Sequence, residues 1–258
     1  FEFRLHPSPP ILLGGPVIFP LAQARSALRA YADFAGDAPD DIYADAALTT
    51  LPDGNRVLVI DTCYAGAIDA GEQAFAPIRK FGTPIVDAIA PTPYVKLQQT
   101  ADQVLARGRR YYVKGSFLRE INTALSDSLV EGFAGLPPGV TVNFADAGGA
   151  ISRVAPTATA FWNRGARWNL VCSAVWDNPA DSEAGIAAGR RAYDIAEPYA
   201  KGFYVNDANL AERTQAQVDS NYGGNLARLE KVKAQYDPAN LFHLNANVMP
   251  AGLIRAGT

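Results

Sequence analysis

Arg167-Trp168-Asn169-Leu170-Val171-Cys172-Ser173-Ala174-Val175-Trp176 is a stretch with two faces. Trp168, Leu170, Cys172, Ala174 and Trp176 make one apolar row, and Asn169, Val171, Ser173 and Val175 make the other, the period-two pattern of a β-strand. Working outward, residues 109–117, 140–144 and 150–154 also read as strands. Ile121, Leu125, Leu129 and Phe133 fall four apart, which predicts a helix over 121–133 stopped by Gly135-Leu136-Pro137-Pro138-Gly139. Towards the N-terminus, Val57, Leu58, Val59 and Ile60 are apolar on both faces, so 56–64 reads as a central strand. It follows a strand over 41–51 through the turn Pro52-Asp53-Gly54-Asn55.

Residues 1–6 and 11–19 read as further strands. Leu21, Ala24, Leu28, Tyr31 and Ala35 mark one helical face, with Gly36 as its left-handed cap. Helices are also expected over 67–80, ending at Gly82, and over 181–199, with acidic residues in the first turn. Strand pairs separated by single helices imply an α+β fold, a largely antiparallel sheet with helices on one face. The character changes at Lys201-Gly202. A short strand, an amphipathic helix and an extended tail follow, an appendage suited to docking elsewhere. The expected division is 1–200 and 201–258.

The chain has 258 residues, 48% of them hydrophobic, ample for a sizeable core. A formal net charge of -3 argues against nucleic acid or an anionic membrane as partner, and no apolar run approaches the ~18 residues of a membrane span. Cys63 and Cys172 sit in apolar, strand-like stretches; buried free thiols, a disulfide or a reactive thiol all fit. With His6 and His243 they offer no metal-ligand spacing. His6 precedes a proline and reads as a turn residue, Arg190-Arg191 as a solvated helix face, and Gly148-Gly149 as a tight turn with no phosphate-binding pattern after it. The first residue is Phe1 rather than an initiator Met, so the chain reads as beginning in mid-fold and its localisation is not legible.

Tyr204 and Asn206 stand two apart in a presumptive strand, where both would share a face; they read as ordinary core or as a phenol and an amide offered to one ligand. Some fifteen residues later comes Tyr222-Gly223-Gly224-Asn225, then Asp237-Pro238-Ala239-Asn240-Leu241-Phe242-His243-Leu244-Asn245-Ala246-Asn247. This series resembles the C-terminal signature of the berberine-bridge-enzyme-like FAD-linked oxidases, flavoproteins of the vanillyl-alcohol-oxidase type. Gly148-Gly149-Ala150, Ala38-Pro39-Asp40-Asp41 (as in bacterial members) and Tyr112-Val113-Lys114 extend the likeness over nearly the whole chain.

The resemblance implies a substrate-binding domain over 1–200, and over 201–258 a segment that packs on an FAD domain supplied by the same or another chain. It implies FAD as cofactor, a small-molecule substrate, and O2 as electron acceptor. It places Tyr204, Asn206, Asn245 and Asn247 near the flavin, and Asn169, Val171, Ser173, Phe161 and Tyr112 around the substrate. Members often follow the Asn of Tyr-x-Asn with a second Tyr; Asp207 stands there. Val171 occupies a position where relatives often have Gln or Glu, and an aliphatic chain cannot move a proton, which leaves Tyr204 or Tyr94 as the expected base. The chain has no Gly-rich dinucleotide fingerprint and neither cysteine has the context of a flavin attachment site, so on its own it is expected to bind flavin weakly or not at all and to be inactive. The alternative is a non-catalytic α+β binding module derived from the same family.

Overall fold

The structure is a computed structural model and describes residues 2–5, 7–102 and 105–253. Its strands are β1 (Ile11–Pro20), β2 (Ile42–Thr50), β3 (Arg56–Tyr64), β4 (Val86–Asp87), β5 (Ala90–Pro93), β6 (Arg110–Leu118), β7 (Val140–Asp146) and β8 (Trp168–Trp176). The helices are α1 (Ala24–Asp37), α2 (Ile68–Phe75), α3 (Tyr94–Gln98), α4 (Thr123–Ala134), α5 (Ala150–Arg153), α6 (Ser182–Ala196), α7 (Gln215–Tyr222) and α8 (Leu226–Tyr236). The strands form one antiparallel sheet in the order β4-β1-β3-β2-β7-β8-β6, with β5 also paired to β1. The α+β architecture is as the sequence implies.

Alternation sorts the strands into two faces. Trp168, Leu170, Cys172 and Ala174 of β8 are buried with Val140, Val142 and Phe144 of β7, Leu58 and Ile60 of β3, and Ala46 and Leu48 of β2. Against them lie the apolar faces of α1, α4 and α6, including Leu28, Leu129, Phe133 and Ala192, all in one core. Each fully buried leucine or phenylalanine there contributes about 1.5–3 kcal/mol. The core phenols are bonded: Tyr31 donates to the carbonyls of Ala44 (2.9 Å) and Phe144 (3.2 Å), and the Tyr193 and Ser116 hydroxyls meet at 2.6 Å.

Several local expectations are corrected. Gly36 lies inside α1, and the helix ends at Ala38, whose ψ of 133° is the extended conformation forced on a residue before proline. Residues 150–154 hold the short helix α5, launched from Gly149 at φ 56°. Glu2–Leu5 are not strand, while Phe1 and His6 lie outside the described residues. Two helices, α7 and α8, replace the single one expected after 201. Residues 203–206 form an irregular stretch and turn rather than a strand. Both cysteines are free thiols, Cys172 buried and Cys63 partly so.

Candidate functional site at the open sheet face

The face opposite α1, α4 and α6 carries the other residue of each alternating pair. Strand register places Phe117 beside Asn169, Gly115 beside Val171 and Val113 beside Ser173; across β7, Asn143 continues the Val171 row and Thr141 the Ser173 row. Further along, Ala47 and Thr49 of β2 and Val59 and Val57 of β3 extend these rows. Asp45 and Asp61 face each other across β2 and β3 on the same side. Asn169, Val171 and Ser173 thus share this face, but Tyr112 belongs to the opposite one. Its ring packs on Gly189 of α6 and its hydroxyl donates to Glu212 Oε2 at 2.9 Å. It does not line the open face.

Asp45 is only 8% exposed. Its Oδ2 accepts from the Tyr43 hydroxyl at 2.6 Å and its Oδ1 from the Asp146 N–H at 3.1 Å. Burial nevertheless pushes its carboxyl up to about 6. A carboxyl whose folded pKa lies above its unfolded value holds a proton that the unfolded chain has already released. Asp45 therefore lowers stability as pH rises from about 4 to about 6, by about 3 kcal/mol at most. Denaturant titrations of the wild type and Asp45→Leu should diverge across that interval, the wild type losing stability relative to the variant; parallel curves would exclude the linkage.

The segment after residue 200 docks along the free edge of β6. Lys201 N–H donates to Phe117 O (2.8 Å), Phe117 N–H to Gly202 O (2.9 Å), and Gly115 N–H to Asp207 O (2.6 Å). Glu212 clasps the same edge: Oε2 accepts from Tyr112 and Lys114 Nζ, both at 2.9 Å, and Oε1 from Arg190 Nε at 3.0 Å. Burial alone would raise the Glu212 carboxyl, but these donors outweigh it and hold it down at about 2. Arg213 lies over the rings of Tyr193 and Phe203 and donates to Gly115 O at 3.1 Å and the Tyr193 hydroxyl at 3.0 Å.

Tyr204 and Asn206 are exposed rather than buried, and Asn206 Nδ2 donates to the Tyr204 hydroxyl at 2.6 Å. Tyr204 shares a cleft of about 320 Å³ with Phe161, Trp162 and Phe203. Phe161 also meets Phe117 edge-on, 5.6 Å between centroids, which joins the cleft to the open face. Asn245 and Asn247 flank Ala246, which packs with Val205 against the cluster of Phe203, Ala208 and Val218. Tyr222 donates to Ala246 O (2.8 Å) and Gln215 Nε2 to Asn247 O (2.9 Å). Tyr94 does not join these residues. It opens α3 beside β1, five strand spacings from β6, about 24 Å away.

The tail's signature residues build a turn. Asp237 accepts from the N–H groups of Leu241 (2.8 Å) and Phe242 (3.0 Å) and pairs with Lys233 at 2.5 Å. Asn240 and Asn245 take left-handed φ values of 53° and 63°, which asparagine tolerates. The turn presents Leu241, Phe242 and Leu244 outward, each more than 70% exposed. The carbonyl oxygens of the Asn240 and Asn247 side chains are buried without a partner. Among the described residues no group of His, Cys, Asp and Glu is arranged to hold a metal, and no helix is long and apolar enough to cross a membrane.

Residues 203–249 match the family model described as berberine and berberine like. The chain is 26% identical over 255 residues to an FAD-linked oxidoreductase of Dictyostelium discoideum, covering 97% of the chain and 54% of that protein. It is 36% identical over 110 residues to the FAD-linked oxidoreductase YvdP of Bacillus subtilis, covering 42% of the chain and 24% of that protein. Among solved structures, BBE-like #28 from Arabidopsis thaliana shares the fold with a TM-score of 0.80 at 16% identity, over 94% of this chain and 57% of that one. The chain thus spans about half the length of the Dictyostelium relative. Residues 203–249 thus carry a berberine-like segment, and the chain as a whole is similar to an FAD-linked oxidoreductase.

Proposed function

We propose that the chain is the substrate-binding part of an FAD-linked oxidase, with residues 1–200 as the substrate domain and 201–258 as a segment that packs on an FAD domain of the same or another chain. One observation carries this reading. The berberine-like segment is fixed to the edge of a sheet whose far face is open, and it turns Leu241, Phe242 and Leu244 outward as the apolar side of an interface. The residues present fit a flavin at that boundary. Tyr204 and Asn206 are exposed with a hydrogen bond to each other, and the Asn240 and Asn247 carbonyl oxygens lack partners.

FAD supplies the redox chemistry, acceptance of a hydride from an alcohol, sugar or amine carbon and reoxidation by O2. The chain's own residues bind and orient. Asn206 holds the Tyr204 phenol, the candidate base, at the mouth of the cleft; Phe161 and Val171 offer apolar contact, and Asn169 and Ser173 polar contact, to the substrate. Asn245 and Asn247, on either side of Ala246, would contact the flavin when it is bound.

The test is purification of the full-length protein that contains this chain. It should show flavin absorbance, bleach anaerobically with one class from a panel of alcohols, sugars and amines, and form peroxide in air. A full-length protein without flavin absorbance and without substrate-dependent peroxide would overturn the proposal and leave the non-catalytic binding module.

A further inference from the structure

We propose that Asp207 and Asn169 form a recognition site for a protonated amine on the substrate. The inference rests on the reading of the open face as the substrate side, and it narrows the substrate class. Asp207 reaches this face from outside the sheet, across Gly115 of β6. A Cβ on Gly115 would stand 3.1 Å from Asp207 Cβ and 3.3 Å from its carbonyl oxygen, a tight approach that glycine relieves. The Gly115 N–H then fixes the Asp207 carbonyl at 2.6 Å.

On the open face, Asp207 Oδ2 accepts from Asn169 Nδ2 at 2.9 Å. A carboxylate only accepts, so this bond sets the orientation of the Asn169 amide and leaves its Oδ1 as an acceptor. That Oδ1 is buried with no partner. A carboxylate and an orphaned carbonyl therefore meet at one place, with a single N–H donor between them.

Nearby cations do not supply the missing donors. By alternation, the strand-borne Arg56, Arg110 and Lys114 fall on the helix-covered face, and Lys114 is held by Glu212. Arg213 is engaged with Gly115 O, Ser116 and Tyr193. Arg164 lies over the Phe161 ring and donates to Ile151 O and Thr159 Oγ1. An ammonium brings opposite charge and up to three N–H donors, whereas a hydroxyl brings one donor and no charge. The remainder of such a ligand meets Phe161 and Val171, which suits an aryl or alkyl amine.

The experiment is anaerobic calorimetry on the full-length protein at neutral pH, with benzylamine and benzyl alcohol as probes of equal shape. Benzylamine is expected to bind at least about tenfold more tightly, and Asp207→Asn to bring its affinity down to that of the alcohol. Equal affinities in the wild type, no binding of either probe, or a preference retained in Asp207→Asn would overturn the site. The comparison on unaltered protein decides the matter even where the variant fails to fold. An amine preference in a protein whose flavin is never reduced would instead overturn the oxidase reading alone; flavin reduction without that preference would overturn this inference alone.

Discussion

Glu212→Ala should lower stability by about 3 kcal/mol at neutral pH. Its carboxylate is bonded to Tyr112, Lys114 and Arg190, and the Lys114 side chain is only 12% exposed, lying over the Tyr193 ring. Removing the carboxylate leaves a largely buried ammonium uncompensated and detaches the segment from β6. Lys114→Met in the Glu212→Ala background should restore part of the loss, because methionine fills the space of the lysine stem without a charge to desolvate. The pH dependence follows from the same bonds. With its folded pKa depressed to about 2, Glu212 contributes fully above its unfolded value and loses that contribution as pH falls through about 2. Denaturant titrations should show wild type and Glu212→Ala far apart at neutral pH and drawing together in acid. A gap that does not narrow, or a single variant as stable as the wild type, would refute the clasp.

Gly223→Val should cost at least about 3 kcal/mol. Gly223 sits between α7 and α8 at φ 48° and ψ −129°, a conformation that side chains resist, and an added Cβ would lie 2.2 Å from Trp162 Nε1. Strain and overpacking therefore act together, and the hinge that folds α8 back is lost. Gly36→Ala gives the opposite sign. It lies within α1 with nothing within 4 Å of a new Cβ, so about 0.5–1 kcal/mol of stabilisation is expected. Melting both variants beside the wild type tests the pair; equal shifts would contradict the assigned backbone roles.

These glycines also show where sequence reading succeeds and fails. Alternation identified β8, and an apolar run on both faces identified β3, almost residue for residue, because each buries one face or both along much of its length. The stretch over 83–98 escaped it. Pro91 and Pro93 lie in β5, a four-residue edge strand on β1, where proline is tolerated but the strand pattern is erased. Residues 150–154 were too few to separate a strand period from a helix turn. The site was legible by residue type but not by face. Parity within β6 separates Tyr112 from Phe117, yet only the register Phe117 to Asn169 tells which parity accompanies the Asn169 row. Asp207 stood out as a departure from the family pattern, but its crossing at Gly115 required the pairing of 201–207 with the edge, which no periodicity announces.

That pairing has a bearing on solubility. β6 is the last strand of the sheet, and its Gly115 and Phe117 N–H groups would face water were they not taken by Asp207 and Gly202. An uncovered strand of this kind is a template for a second molecule. The berberine-like segment therefore also serves as an edge guard, and a chain cut at residue 200 is expected to self-associate through β6 in light scattering while the intact chain remains monodisperse.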